Sequence, residues 1–169
     1  MKKYFITIVL LYFVITLFSS QCSSRKKEES SKPKILSGWL TKNTLFAEFT
    51  AYEQEMQDYE PADDIIRQID AMNKDIRVLM ILGTYCPDCK REVPRLLKII
   101  ENLKQTRIQY KMFGLDRADA DTSGMREKYS IQYIPTFIFY ENDTELGRII
   151  ERPMVSLEHD LLEILQAEK

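Results

Sequence analysis

Cys86-Pro87-Asp88-Cys89 holds two thiols three residues apart. Residues three apart on a helix share a face, so the two sulfurs can reach each other and close a small disulfide. A thiol at a helix N-terminus also meets unpaired backbone N–H groups and the positive end of the helix dipole, both of which favour thiolate. The apolar run Val78-Leu79-Met80-Ile81-Leu82 before the pair and the residues from Lys90 onward place it at a strand-to-helix turn. Two chemistries fit such a pair, redox exchange and metal binding. A structural zinc site needs four ligands. Beyond this pair the chain offers only Cys22 and His159, one at each end, so the expectation is redox chemistry with no metal and no cofactor.

The elements that must position the dithiol are readable from apolar spacing. Ile35 to Leu40 is a short strand or a loop that packs Trp39 on the domain. Leu45, Phe49, Tyr52 and Met56 recur at helical spacing, an aromatic stripe that reads as core packing. Pro61 opens a second helical stretch with Asp63 and Asp64 in its first turn and Ile65, Ile66, Ile69 and Met72 on the buried side. Arg77 to Leu82 is continuous and apolar enough for a central strand covered on both faces. The helix after the dithiol turns Val93, Leu96, Leu97, Ile100 and Leu103 inward. Ile108–Leu115 reads as a strand and 124–129 as a short helix. Thr136–Tyr140 and Leu146–Ile150 form a hairpin across Glu141-Asn142-Asp143, and 155–167 closes as a helix. The order is βαβ followed by ββα.

Composition bounds the partners. With 24 Lys and Arg against 26 Asp and Glu in 169 residues the formal charge is -2. No basic block with interleaved aromatics is present, so no nucleic-acid partner is expected. Lys2-Lys3 precedes an apolar run from Tyr4 to Phe18, then Ser19-Ser20-Gln21-Cys22. That run is shorter than the ~20 residues a spanning helix needs and suits the core of a signal peptide. Basic residues mark the side that stays cytoplasmic, so the chain beyond the apolar run is expected outside the cytoplasm. Residues 23–34 are charged and Ser-rich and read as a tether unable to bury a core.

The leader resembles that of a bacterial lipoprotein ending at the lipid-modified residue, here Cys22. Ser19 and Gln21 stand where lipoproteins usually carry Leu and a small residue. An uncleaved signal anchor and simple cleavage with release are the other readings.

The order of elements, Gly83-Thr84-Tyr85-Cys86-Pro87-Asp88-Cys89, Pro94 and Ile134-Pro135-Thr136 together resemble the thioredoxin superfamily. The resemblance covers residues 63–169, with 35–62 as an N-terminal extension, 1–22 as leader and 23–34 as tether. It implies an α/β thioredoxin-like fold, a central mixed sheet flanked by helices, with the N-terminal extension helical. It implies that Tyr85 stands where the family often has Trp, that Pro94 kinks the active-site helix, and that a cis Ile134–Pro135 bond faces the dithiol. The turned carbonyl of Ile134 would leave an edge where a substrate peptide pairs. An ordinary trans proline at a strand start is the alternative.

Met80 stands where thioredoxins carry a buried Asp. The acid–base group for the second thiol must come from elsewhere, and Glu92, a turn beyond Cys89, is the candidate. A surface glutamate paired with a neighbouring Lys or Arg is the other reading. The run through Lys90-Arg91-Glu92-Val93-Pro94 is similar to membrane-tethered thiol reductases of the cytochrome c maturation type. That likeness implies an enzyme of the bacterial cell envelope, membrane-anchored by lipid or signal anchor and facing outside the cytoplasm. Its Cys86 would attack protein disulfides, Cys89 would resolve the mixed disulfide, and a membrane electron donor would restore the dithiol. A disulfide oxidant or isomerase, and a redox-silent thioredoxin-fold binding lipoprotein, are the alternatives. Asp88 disfavours a thiolate beside it, while Lys90 and Arg91 oppose that effect.

Overall fold

Apolar residues that alternate along β2 (Asp75–Leu82) supply two cores at once, because successive strand side chains point to opposite faces. The computed structural model describes residues 34–117 and 121–167; the leader, Cys22 and nearly all of the tether lie outside the described residues. β2 is parallel to β3 (Arg107–Gly114) on one side and antiparallel to β4 (Thr136–Glu141) on the other. A parallel neighbour requires a crossover, and α4 (Pro87–Asn102) provides it. β4 turns into β5 (Thr144–Ile150) through Asn142 and Asp143, at φ 47° and 68°. Two consecutive left-handed residues are what a two-residue hairpin needs. β1 (Gly38–Leu40) adds to the free edge of β3, antiparallel, giving the order β1-β3-β2-β4-β5. Trp39 on β1 stays largely exposed, with its ring edge-on to Phe113 at 5.1 Å.

Ile76, Val78, Met80 and Leu82 face the larger core with Phe137 and Phe139. Five helices contribute to it: α1 (Lys42–Glu48), α2 (Thr50–Asp58), α3 (Asp63–Ala71), α4 and α6 (Leu157–Gln166). Leu79, Ile81 and Ile138 face the other way, against Met125 of the single-turn α5 (Met125–Lys128) and Ile131. The chain is thus a mixed sheet flanked by helices, with a helical extension ahead of β2.

One expectation changes in detail. The stripe Leu45, Phe49, Tyr52, Met56 does turn inward, but it spans two helices. Phe49 leaves helical geometry at φ -138°, ψ 88°, while its N–H still bonds the Leu45 carbonyl at 3.0 Å. The break sets the Phe46 and Phe49 rings 6.5 and 6.1 Å from that of Tyr52, a packing that a continuous helix period does not reveal.

Candidate active site

β2 ends at Leu82, and the chain turns through Gly83, Thr84 and Tyr85 into α4. The Cys86 N–H bonds the Gly83 carbonyl at 2.9 Å. Cys86 is the N-cap, extended at φ -85°, ψ 125°, and Pro87 occupies the first helical position, where its missing donor costs nothing. The Cys86 Sγ accepts the Cys89 N–H at 3.5 Å and lies 3.4 Å from the Ile134 carbonyl, to which the thiol form donates. Cys86 is half-buried, whereas Cys89 is wholly buried, its Sγ accepting the Gly83 N–H at 3.3 Å. Both sulfurs are free, so this is the dithiol state.

The two thiols are driven in opposite directions. A hydrogen bond from the Cys89 thiol lowers Cys86 to about 6, helped by the N–H groups of Cys89 and Asp88 and opposed by burial and by the Asp88 charge. Burial pushes Cys89 up, and the bond it gives to Cys86 and the charges of Cys86 and Asp88 push it the same way; the Gly83 N–H opposes. Of the two, Cys86 is the accessible sulfur with the lowered thiol and Cys89 the buried one with the raised thiol.

The Ile134–Pro135 bond is cis. Pro135 is buried, its carbonyl taking the Glu151 N–H at 2.7 Å, which fastens the end of β5 to the rim of the dithiol. Tyr85 gives its hydroxyl to the Asp116 carbonyl at 3.2 Å and carries the Arg117 guanidinium 4.8 Å over its ring. A Cβ at Gly83 would fall 2.7 Å from Ile134 Cδ1 and 2.9 Å from the Tyr85 ring. Glycine here lets Tyr85 and the proline loop close over the turn.

Glu92 is 3 % exposed, which corrects the reading of it as a surface residue: α4 carries it on the buried face one turn from Cys89. Its Oε1 takes the Arg91 guanidinium, and its Oε2 is buried without a partner among the described residues. Arg91 also bonds Asp88 at 2.7 Å, and Arg152, from the loop after β5, reaches the same Asp88 oxygen at 3.1 Å. Burial would raise the Asp88 carboxyl, but the two arginines hold it below its ordinary range. Sequence reasoning anticipated Arg91 and missed Arg152, which lies 64 residues away with no local signal.

Arg152→Ala exposes Cys86 to more of the Asp88 charge. The midpoint of Cys86 alkylation against pH is expected to move up, with less than about a twofold rate loss at pH 6 because Arg152 is mostly solvated. Iodoacetamide kinetics across pH 5–9 measure it.

Fold and dithiol turn together define a thioredoxin-like protein. A family model described as thioredoxin matches residues 44–161, well over half of the chain, and the chain belongs to that family. The match begins inside α1 and so takes in the helices ahead of β2. A protein of unknown function from Pseudomonas aeruginosa, PA1234, superposes with a TM-score of 0.57 at 18% identity, over 75% of this chain and 98% of that one. An HIV epitope-scaffold superposes with a TM-score of 0.57 at 20% identity, over 73% of this chain and 87% of its own. At such identities the likeness is one of fold. A search of curated proteins found no match.

Proposed function

We propose that this protein is a thiol–disulfide oxidoreductase of the bacterial cell envelope that reduces protein disulfides with Cys86 and Cys89. The observation that carries the reading is the asymmetry of the pair, one accessible sulfur with its thiol lowered to about 6 and one buried sulfur with its thiol raised. The Cys86 thiolate attacks a substrate sulfur, forming a mixed disulfide and releasing the first substrate thiolate, which takes a proton from solvent. Cys89 gives up its proton and attacks Cys86 Sγ. This closes the Cys86–Cys89 disulfide and expels the second substrate thiolate, so two electrons pass to the substrate. Glu92, with a free carboxylate oxygen one turn away, is the group to receive the Cys89 proton. The edge at Ile134 and Pro135, with Tyr85 beside it, is where the substrate backbone lies.

A Cys86 value of about 6 stands near thioredoxin's ≈ 7 and far from the ≈ 3.5 of a strong oxidant. That favours a reductant, re-reduced by a membrane donor as in tethered reductases of the cytochrome c maturation type. A reduction potential below about -200 mV is expected, and one near -120 mV would make it an oxidant. Absence of Cys86 alkylation in the reduced protein would instead make the dithiol silent and leave a binding role. Anchoring by lipid at Cys22 predicts loss of membrane association in Cys22→Ala, whereas unchanged association points to a signal anchor.

A further inference from the structure

Tyr52 belongs to the helices ahead of β2, outside the part of the chain that carries the dithiol. It sits on α2, is fully buried, and shares the main core with Cys89 and Val93. Its hydroxyl has no hydrogen-bond partner among the described residues. A buried O–H left unpaired costs on the order of 1–3 kcal/mol, and such groups are rare enough in native structures to call for a reason. Phenylalanine would fill the same space without that cost, so packing alone does not account for the oxygen.

The surroundings supply a reason. The phenol lies within electrostatic reach of both sulfurs, Cys89 more strongly than Cys86. Burial first, and then those two thiols, hold its ionisation far above the ordinary phenol range, so it stays protonated and can act only as a donor. In the dithiol Cys89 is a protonated thiol whose bond goes to Cys86, and the hydroxyl is idle. The demand changes during exchange. Once Cys86 is tied in a mixed disulfide, its sulfur is no longer an anion, and Cys89 must itself become a thiolate in a site built to exclude charge.

We propose that Tyr52 Oη is the hydrogen-bond donor that stabilises Cys89 when its sulfur carries negative charge. The inference rests on the exchange reaction proposed above. In the resolving step Cys89 loses its proton to a base and attacks Cys86 Sγ, the substrate sulfur leaving as thiolate; Tyr52 keeps its proton throughout. In the reverse direction a donor thiolate attacks Cys86 Sγ and breaks the Cys86–Cys89 bond. Tyr52 then stabilises the departing Cys89 thiolate. The N-terminal helices thereby become part of the redox site.

The test is Tyr52→Phe in the full chain, with 5,5′-dithiobis(2-nitrobenzoate) as oxidant and thionitrobenzoate release followed by stopped flow. The first release reports attack by Cys86 and the second reports resolution by Cys89. Tyr52→Phe is expected to keep the first phase and to melt no lower than the unaltered protein. The second phase is expected to slow at least about tenfold at pH 7, as loss of a bond to a charged group implies, with its pH midpoint moved up. A second phase unchanged in rate and pH midpoint would overturn the role of Tyr52 and leave the exchange reaction standing. No first phase in the unaltered protein would instead overturn the exchange reaction itself.

Discussion

Cys86→Ser is expected to bring disulfide reduction down to the uncatalysed rate, while Cys89→Ser still attacks and stops at a mixed disulfide that non-reducing electrophoresis or mass spectrometry detects. The difference arises from where the helix places each sulfur. Only Cys86 combines access with a lowered thiol, and at about 6 it leaves about ten thiolates per thiol at pH 7. Alkylation of Cys86 should be half-maximal near that value. The largest influence lowering it is the bond from the Cys89 thiol. Cys89→Ala should therefore shift the alkylation midpoint upward, and Cys89→Ser, which keeps an O–H donor, should shift it less. Stability of the reduced protein carries the same signature. Because folding depresses Cys86, its contribution is complete above the ordinary thiol range and is lost as pH falls through about 6. Cys89 works oppositely, since above about 8.5 the unfolded thiol ionises and the buried one does not. The reduced protein should gain stability between those limits and lose it again above the upper one, where only the unfolded Cys89 thiol ionises. Urea midpoints at a series of pH values, compared with the oxidised form, measure the effect.

Local patterns reported the scaffold well because its determinants are local. The alternating cores of β2, the two left-handed residues at Asn142 and Asp143, and the apolar side of α4 each lie within a few residues of one another. The break at Phe49 was hidden because either one helix or two would keep the same stripe inward. Around the dithiol the limits are those of tertiary pairing. Nothing near Arg152 in sequence signals a partner at Asp88, and Glu92 could be assigned neither to surface nor to core from a helix with charges on both sides. Tyr52 stood inside a stripe correctly read as packing. What sets it apart, a hydroxyl with nothing to bond, exists only once α2 is docked on α4.

Glu158→Ala is expected to cost about 2–4 kcal/mol, a fall in melting temperature of roughly 5–15 °C for a domain of this size. The carboxylate sits in the first turn of α6, where the helix dipole favours it, and is 5 % exposed. It takes the Tyr59 hydroxyl at 2.6 Å and the Ala62 N–H at 3.1 Å, tying the junction of α2 and α3 to the last helix. Burial would raise the Glu158 carboxyl, but Tyr59, its own N–H, Ala62 and Ser156 together hold it low. A carboxyl depressed on folding stabilises above the unfolded value of about 4.3 and ceases to as pH falls through its folded value. The deficit of Glu158→Ala should accordingly be full at pH 7 and shrink below pH about 4. Glu158→Gln keeps one acceptor and should lose less. The consequence reaches the dithiol, because Tyr59 also carries the Arg95 guanidinium 4.9 Å over its ring and Arg95 bonds Glu55 of α2. With Glu158 removed, α2 loses an anchor and covers the buried sulfur less tightly. In a Cys86→Ser background, Glu158→Ala should therefore speed alkylation of Cys89 at a fixed pH. An unchanged rate would mean that α2 stays seated on α4 without the α6 anchor.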